Sequence, residues 1–235
     1  MNTIELLGKR YPALTDCLPE IERATEAIVT MHRAGAKLLL CGNGGSAADC
    51  GHIVGELEKG FLSKRPLSES AQKKLIDAGI PAEMTAKFQQ GLCAISLPEQ
   101  SAILSAFAND VEPKLVYAQT VLACARAGDV FLGISTSGNS ENVVLAAKTA
   151  KAVGATTIGL TGATGGKLAE TCDITIRVPA TETFIVQEYH LPVYHAICAE
   201  VERRLFCGGE DLGTLSQTLL RPFLEEGSKN PKNFH

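Results

Sequence analysis

The sequence predicts an α/β fold, a three-layer sandwich in which helices flank a five-stranded parallel sheet of the flavodoxin-like kind. Five short apolar runs alternate along the chain with segments of helical periodicity, which is typical of parallel sheets. Two of those runs lead into turns rich in Gly and Ser, and each turn leads into a helical segment. Parallel sheets bind ligands beyond the carboxyl ends of their strands. Both turns are therefore expected at the ligand-binding edge.

The predicted elements follow one another in a regular order. The apolar runs that predict strands are residues 38–41, 92–97, 130–135, 156–162 and 173–178. Helical periodicity predicts two helical pieces within residues 3–35 and a helix that follows the first Gly- and Ser-rich turn and ends near Gly60. It predicts further helices over 100–107, 113–125, 141–154, 167–171 and about 184–206. The first segment is divided near Pro12 because proline disrupts a helix interior.

The chain between the first two predicted strands departs from this alternation. Residues 62–91 form a predicted helical insertion, in which Ser68 suits a helix N-cap and Gly79 a helix end. Pro81 suits the first turn of a second short helix. The insertion is interpreted as a lid over the pocket, an oligomer arm or a solvated excursion, and the sequence leaves these three alternatives open.

The composition is that of an ordinary globular protein, with 45% apolar and 20% charged residues. A net charge of −4 disfavours nucleic acid as a partner. No apolar run approaches the roughly 18–20 residues of a membrane span, and the N-terminus lacks the apolar stretch of a signal peptide. The eight cysteines include no C-x-x-C pair. We expect a reduced, cytoplasmic protein without membrane contact, with one domain over residues 1–206 and a polar tail over 207–235.

The first turn, residues 42–46 (GNGGS), follows four apolar residues and precedes a helix. Free backbone N–H groups and the positive end of a helix dipole make such a turn an anion site. The turn also fits a loose G-x-G-x-x-A dinucleotide pattern, which requires an acidic residue about 20 positions further on. Here the next strand lies beyond residue 90, so nucleotide binding is disfavoured.

The second turn, residues 135–140 (STSGNS), carries four hydroxyls in six residues just before a helix. Hydroxyls together with helix N–H groups suit a phosphate without any Lys or Arg. The alternative is a cluster that only caps the helix, but a single hydroxyl suffices for a cap. The turn is therefore predicted to hold a phosphate group.

Two helices carry most of the histidines. His52 and Glu56 are spaced i,i+4 and share one helix face, where they suit a pair of metal ligands, a base with its partner, or a surface pair. In the last helix, Gln187 and His195 are two turns apart on roughly one face, with His190 between them. Pro192 interrupts this helix, and a kink there would tilt His195 relative to Gln187.

These motifs together resemble the sugar isomerase (SIS) domain family, and in particular its phosphoheptose isomerase branch. The resemblance rests on strand–GNGGS–helix with H-x-x-x-E, on ISTSGNS, LTG-x-x-GG and IRVP, and on Q-E-x-H-x-x-x-x-H, and it covers about residues 20–60 and 92–206. It implies a homotetramer with sites formed between subunits. It also implies interconversion of sedoheptulose 7-phosphate and D-glycero-D-manno-heptose 7-phosphate.

The resemblance assigns roles to residues by motif. The residues that would hold the substrate phosphate are Ser135, Thr136, Ser137 and Ser140, with Ser46. Those that would bind sugar hydroxyls are Asn43, Asp110 and Gln187. Glu56 would move the proton between C1 and C2, and His195 would be the partner acid. Members of the family bind zinc, and the positions that match its ligands are His52, Glu56, Gln187 and His195. The resemblance thus assigns two competing roles to Glu56, that of a zinc ligand and that of the catalytic base.

The chain departs from the family pattern in two places. The family has an Arg in a G-R-[YF] segment soon after the base, whereas this chain has Lys59-Gly60-Phe61, and Lys59, Lys64 or Arg65 are the candidate substitutes. The insertion is also absent from the short family members. Both changes lie near the sugar end of the predicted pocket, so they bear on which sugar is bound.

The second hypothesis is a non-catalytic SIS protein, either a sugar-phosphate sensor or a replication-initiator-binding regulator. Such a protein is expected to lose the catalytic pair while keeping STSGNS-like turns. This chain keeps all four residues of the proposed site, which favours the enzyme.

Overall fold

A computed structural model describes residues 2–207. The α-helices in this range are α1 (Thr3–Arg10), α2 (Leu18–Arg33), α3 (Gly45–Glu58), α4 (Glu69–Asp77), α5 (Ala82–Thr85), α6 (Ser101–Asp110), α7 (Val116–Cys124), α8 (Glu141–Ala152), α9 (Gly166–Thr171) and α10 (Thr183–Phe206). The β-strands are β1 (Leu38–Cys41), β2 (Ala94–Ser96), β3 (Val130–Ile134), β4 (Thr156–Thr161) and β5 (Ile174–Arg177). The α/β class and the five strands predicted from the sequence are confirmed.

The five strands form one parallel sheet in the order β2-β1-β3-β4-β5. In an open sheet of this order, the chain switches direction between β1 and β3, and ligands bind in the crevice at that point. Cys41 at the end of β1 pairs with Gly133 near the end of β3. The GNGGS and STSGNS turns therefore leave two adjacent strands at the switch point.

The sheet is buried on both faces, as its short apolar strands require. Successive β1 residues point to opposite sides: Leu38 and Leu40 pack in a core formed with α1, α2, α3 and α10. Leu39 and Cys41 pack in a second core formed with α7 and α8. This division places α3 and α10 together on one face, so both carry predicted site residues on the same side of the molecule.

One helix differs from its predicted extent, whereas the last helix agrees with its predicted bounds of about 184–206. The helix predicted to end at residue 107 continues as α6 through Asp110. The last helix runs without a break from Thr183 to Phe206, with Pro192 inside it. Gln187 and His195 therefore do lie on one continuous helix. No helix within residues 2–207 is both long and apolar enough to cross a membrane.

The insertion between α3 and β2 contains α4 and α5, and its two ends are tied together. Gln90 N–H donates to Arg65 O at 2.8 Å, and Pro66 and Gln89 form an isolated antiparallel bridge. Gly60 N–H donates to Gln89 Oε1 at 2.7 Å. The insertion therefore leaves and rejoins the domain at one place, just after α3. The predicted C-terminal tail lies outside the described residues, apart from Cys207.

The N-terminal helix is attached to α10 through a buried carboxylate, Glu200. It accepts hydrogen bonds from Thr3 N–H and the Thr3 hydroxyl, and it forms ion pairs with Arg203 and Arg204. Burial alone would raise the pKa of Glu200, but the hydrogen bonds from both arginines outweigh burial and lower the pKa to about 2.

This shift predicts a specific pH dependence of stability. Because the pKa is lower in the folded state, the contribution of Glu200 is complete above the unfolded pKa of about 4.3 and is lost as pH falls toward the folded value. We expect Glu200→Gln to lower the free energy of unfolding by on the order of 3 kcal/mol at pH 7. In urea titrations at pH 7, 4 and 3, the difference in the free energy of unfolding between Glu200→Gln and the wild type should decrease as the pH falls. A gap independent of pH would contradict this role.

Candidate active site

The GNGGS turn is held by contacts from the opposite face of the sheet. Asn43 and Asn142 exchange two amide hydrogen bonds, each 2.9 Å long. The buried Tyr117 hydroxyl donates to Gly42 O at 2.8 Å. Ser46 lies buried in the first turn of α3, and its N–H donates to Asn43 O at 3.0 Å. The two turns are thereby linked directly, since Asn142 belongs to α8, the helix that follows STSGNS.

The STSGNS turn forms a compact set of hydroxyls. The Ser135 and Ser140 hydroxyls lie 3.0 Å apart, and the Ser137 hydroxyl accepts from Asn139 N–H at 3.1 Å. Ser140 occupies the N-cap position of α8 but makes no side-chain cap bond. Thr136 is half-buried beside them. The hydroxyl cluster is therefore not explained by helix capping.

Gly138 lets this turn approach the neighbouring loop closely. Its φ of +67° is in the left-handed region that favours glycine. A Cβ at this position would also collide with the Gly165 carbonyl, and the Leu168 N–H donates to Gly138 O at 3.0 Å. The STSGNS turn is thus packed against the loop that precedes α9.

The crossing of α3 and α10 brings the predicted polar residues together. His52 Nε2 lies 3.4 Å from Glu56 Oε1 and 3.3 Å from His195 Nε2. The Gln187 amide packs against Gly45 in the first turn of α3, where a Cβ would collide with it. An imidazole pair and a carboxylate therefore lie together where α3 and α10 meet, and the Gln187 amide lies beside Gly45 at the start of α3.

The two α10 histidines have different environments. The pKa of His195 lies below its ordinary value, mainly because the ring is partly buried and to a lesser extent because the His52 imidazole is close. His195 is therefore neutral at pH 7. Phe61 packs against its ring, with centroids 5.7 Å apart. His190 is fully buried, and burial lowers its pKa to about 4. Its ring nitrogens have no hydrogen-bond partner within residues 2–207. Only His195 therefore belongs to the site.

The structure also distinguishes the three cations considered as substitutes for the family arginine. Lys59 is exposed, and its Nζ lies 3.2 Å from Glu56 Oε2. Arg65 is buried, forms an ion pair with Glu202 and donates to Leu57 O. Its charge is therefore neutralised inside the protein. Lys64 is exposed. Lys59 is therefore the cation that contacts the site carboxylate.

One predicted substrate contact has no hydrogen bond to the other site residues within residues 2–207. Asp110 is exposed at the end of α6, and within residues 2–207 its carboxylate accepts a hydrogen bond only from Asn109. Three residues that contact the site were missed in the sequence. Asn142 and Tyr194 left no signal there, whereas Asp49 is three residues before His52, a spacing that places both on one helix face.

The imidazole and carboxylate groups of the site are ligand types that zinc accepts, and part of their spacing also suits zinc. At a Zn–N distance of about 2.0–2.1 Å, two ligands of a tetrahedron are separated by about 3.3 Å. The two imidazole Nε2 atoms have this separation. Within residues 2–207, Glu56 forms ion pairs with His52 and Lys59 but not with His195, and no three His, Cys, Asp or Glu side chains are arranged to hold a metal ion. Only the separation of the two imidazole Nε2 atoms therefore matches that of two zinc ligands in the part of the chain that the structure describes.

Comparison with known proteins agrees with this architecture. Residues 102–198 match the SIS domain. The chain is 40% identical over 192 residues to the phosphoheptose isomerase of Rhodospirillum rubrum, which covers 82% of this chain and 89% of that protein. It is 39% identical over 186 residues to the phosphoheptose isomerase of Aneurinibacillus thermoaerophilus, covering 79% and 82% respectively.

A solved structure gives the same result in three dimensions. Phosphoheptose isomerase GmhA from Neisseria gonorrhoeae superimposes with a TM-score of 0.67 at 32% identity. The alignment covers 82% of this chain and 90% of that one. Identity above 30% over most of both chains, together with the shared sheet and the SIS match, decides the relationship. The chain belongs to the phosphoheptose isomerase family of SIS-domain proteins.

Proposed function

We propose that the protein is a phosphosugar isomerase that interconverts sedoheptulose 7-phosphate and D-glycero-D-manno-heptose 7-phosphate through an enediolate. One observation carries the proposal: His52, Glu56 and His195 lie together where α3 meets α10, and α3 begins at the GNGGS turn, which is bonded to the helix that follows STSGNS. The family membership supports the same reaction. A non-catalytic member would not need this assembly, so the regulator hypothesis is not favoured.

The two turns are proposed to hold the substrate phosphate. Ser135, Ser137 and Ser140 supply hydroxyls, and the positive ends of the α3 and α8 dipoles directly follow the two turns. His52 lies about 10 Å along α3 from Gly45 at 1.5 Å per residue. This separation favours a long sugar, in which the phosphate and the reacting carbons are at opposite ends. Binding at the remote phosphate positions the reacting carbons.

Glu56 is proposed to take the proton from C1 of the ketose and return it to C2, which produces the aldose. In the same steps the C2 carbonyl oxygen gains a proton and the C1 hydroxyl loses one. Neutral His195 is placed to donate to these oxygens and stabilise the enediolate. Asn43 and Gln187 are proposed to bind the sugar hydroxyls between the phosphate and the reacting end.

Zinc is proposed as a cofactor, held by His52, Glu56, Gln187 and His195. The spacing of the imidazole nitrogens supports this proposal, as does the mixed nitrogen and oxygen donor set. When bound, zinc would polarise the substrate carbonyl. Glu56 would be less available as a base when it is a ligand, so activity measured with and without chelator tests which role it has.

The protein is further proposed to act as a cytoplasmic homotetramer. Asp110 is compatible with an assembled site, because this predicted sugar contact is exposed and bonds only to Asn109 within residues 2–207. A neighbouring subunit would have to bring its Asp110 to the crevice.

The reaction can be tested with a panel of ketose phosphates of five, six and seven carbons, with and without chelator. We expect aldose formation to be fastest with the seven-carbon substrate. If no member of the panel is isomerised and none raises the melting temperature, both catalysis and sugar-phosphate binding are contradicted.

The phosphate site predicts the effect of Ser140→Ala. The Ser140 hydroxyl does not cap α8, so its loss should change the free energy of unfolding by no more than about 1 kcal/mol. Losing one hydrogen bond to a charged phosphate should raise KM by about 10-fold or more, with kcat within about threefold. The matched control is Ser105→Ala, because within residues 2–207 that exposed hydroxyl bonds only to Ala102 O of its own helix. An unchanged KM in Ser140→Ala would remove this residue from the phosphate site.

A further inference from the structure

Behind the two imidazoles lies a hydrogen-bonded chain of side chains that the proposed reaction does not use directly. The Tyr194 hydroxyl donates to Asp49 Oδ1 at 3.2 Å and lies 3.0 Å from His52 Nδ1. Tyr194 is only 2% exposed. Its ring packs edge-on against the rings of His52 and His195, with centroids 5.4 Å and 5.0 Å away. Asp49 and Tyr194 thus reach His52 from its protein-facing side.

The number of protons available decides the direction of these hydrogen bonds. A tyrosine hydroxyl has one proton, and an ionised carboxylate has none. Because Tyr194 donates its proton to Asp49, the bond between its oxygen and His52 Nδ1 must use a proton of the imidazole. A neutral His52 then carries its only proton on Nδ1 and has a lone pair on Nε2.

The free Nε2 atom is the one that faces the site. His52 Nε2 is 3.3 Å from His195 Nε2 and 3.4 Å from Glu56 Oε1. A lone pair there can accept the N–H of His195, or bind a metal ion together with it. The opposite tautomer would place an N–H at this atom, and it could then do neither.

We infer that Asp49 and Tyr194 are positioning residues that hold His52 in its Nδ1–H tautomer and aim its Nε2 lone pair into the site. The importance of this arrangement for catalysis rests on the proposed function, but the tautomer itself does not. A tyrosine that served only to pack the core would tolerate loss of its hydroxyl, since phenylalanine has the same ring.

The tautomer can be measured directly in the wild-type protein. The chain has five histidines, so a long-range ¹H–¹⁵N spectrum of full-length protein labelled with ¹⁵N-histidine contains few signals. The measurement uses chelator-treated protein at pH 8, and the His52 signal is identified by its loss in His52→Gln. We expect a protonated Nδ1 and a bare Nε2. A protonated Nε2 on His52 would overturn the inference, and this result requires no folded variant of Tyr194.

Removing the hydroxyl provides the second test. In Tyr194→Phe we expect His52 to populate both tautomers and kcat to fall by about 10–100-fold, with KM within about threefold. The matched control is Tyr189→Phe, a half-buried tyrosine of the same helix whose hydroxyl has no hydrogen-bond partner among residues 2–207. The control should match the wild type in both measurements.

The outcomes separate this inference from the proposed function. If Tyr194→Phe behaves like Tyr189→Phe in both tautomer and kcat, Tyr194 does not position His52. If the wild type isomerises no ketose phosphate but shows the Nδ1–H tautomer, the proposed function fails while the hydrogen-bonded chain stands.

Discussion

Glu56→Gln is expected to lower kcat by about 10³-fold or more while leaving the affinity for the sugar phosphate within about threefold. Glutamine has nearly the same shape but cannot accept the C1 proton, and general base catalysis contributes about 10²–10⁴-fold. The phosphate contacts lie at the other end of the crevice and are unaffected. The variant should also lose solvent deuterium exchange at C1 of the ketose phosphate and deuterium incorporation at C2 of the aldose phosphate.

A neighbouring carboxylate controls for the change in charge. Glu58→Gln removes an exposed carboxylate from the same helix, and we expect kcat to stay within about twofold of the wild type. Retained exchange in Glu56→Gln would show that another group moves the proton. If the loss occurs only with zinc present and not after chelation, Glu56 acts as a ligand and not as the base.

Glu202→Gln is expected to cause the largest loss of stability. The Glu202 carboxylate is buried and accepts hydrogen bonds from the N–H groups of residues 61–63 at 2.7–3.0 Å. It also pairs with the buried Arg65, which donates to Leu57 O at the end of α3. A glutamine presents an NH₂ group where an acceptor is needed and leaves the Arg65 charge uncompensated. Breaking a buried pair in this way costs about 3–5 kcal/mol.

The effect should extend to catalysis, because the same contacts hold the end of the helix that carries Glu56. Urea unfolding and kcat are measured together, with Glu188→Gln as the control, since that carboxylate is exposed on the same helix. The control should remain within about 0.5 kcal/mol of the wild type. If Glu202→Gln loses less than 1 kcal/mol, the buried pair does not anchor the segment after α3.

Most of the fold could be predicted because local pattern determines it. Four apolar residues at 38–41 before a glycine-rich turn are enough to identify a buried strand at the carboxyl edge of a sheet. The adjacency of β1 and β3 at a switch point depends on crossover connections, which local pattern does not contain. The predicted helix over 100–107 ends three residues short of the end of α6, because Asn109 and Asp110 are poor helix formers in sequence, yet the helix continues through them.

The site was predictable to the extent that helix periodicity determines it. The i,i+4 spacing of His52 and Glu56 and the two-turn spacing of Gln187 and His195 indicated which faces would meet. The role of Arg65 could not be predicted from local pattern, because its buried ion pair is with Glu202, on a helix distant in sequence. The contact of Tyr194 with Asp49 likewise depends on how α3 and α10 cross.

The most direct test of the central claim is a single spectrum. Wild-type protein is incubated with sedoheptulose 7-phosphate in D₂O, and the sugar is followed by NMR. The account predicts the appearance of the aldose together with deuterium at C2 of the aldose and at C1 of the remaining ketose. Binding of the sugar phosphate without either change would show that the site beside the hydroxyl-rich turns does not move this proton.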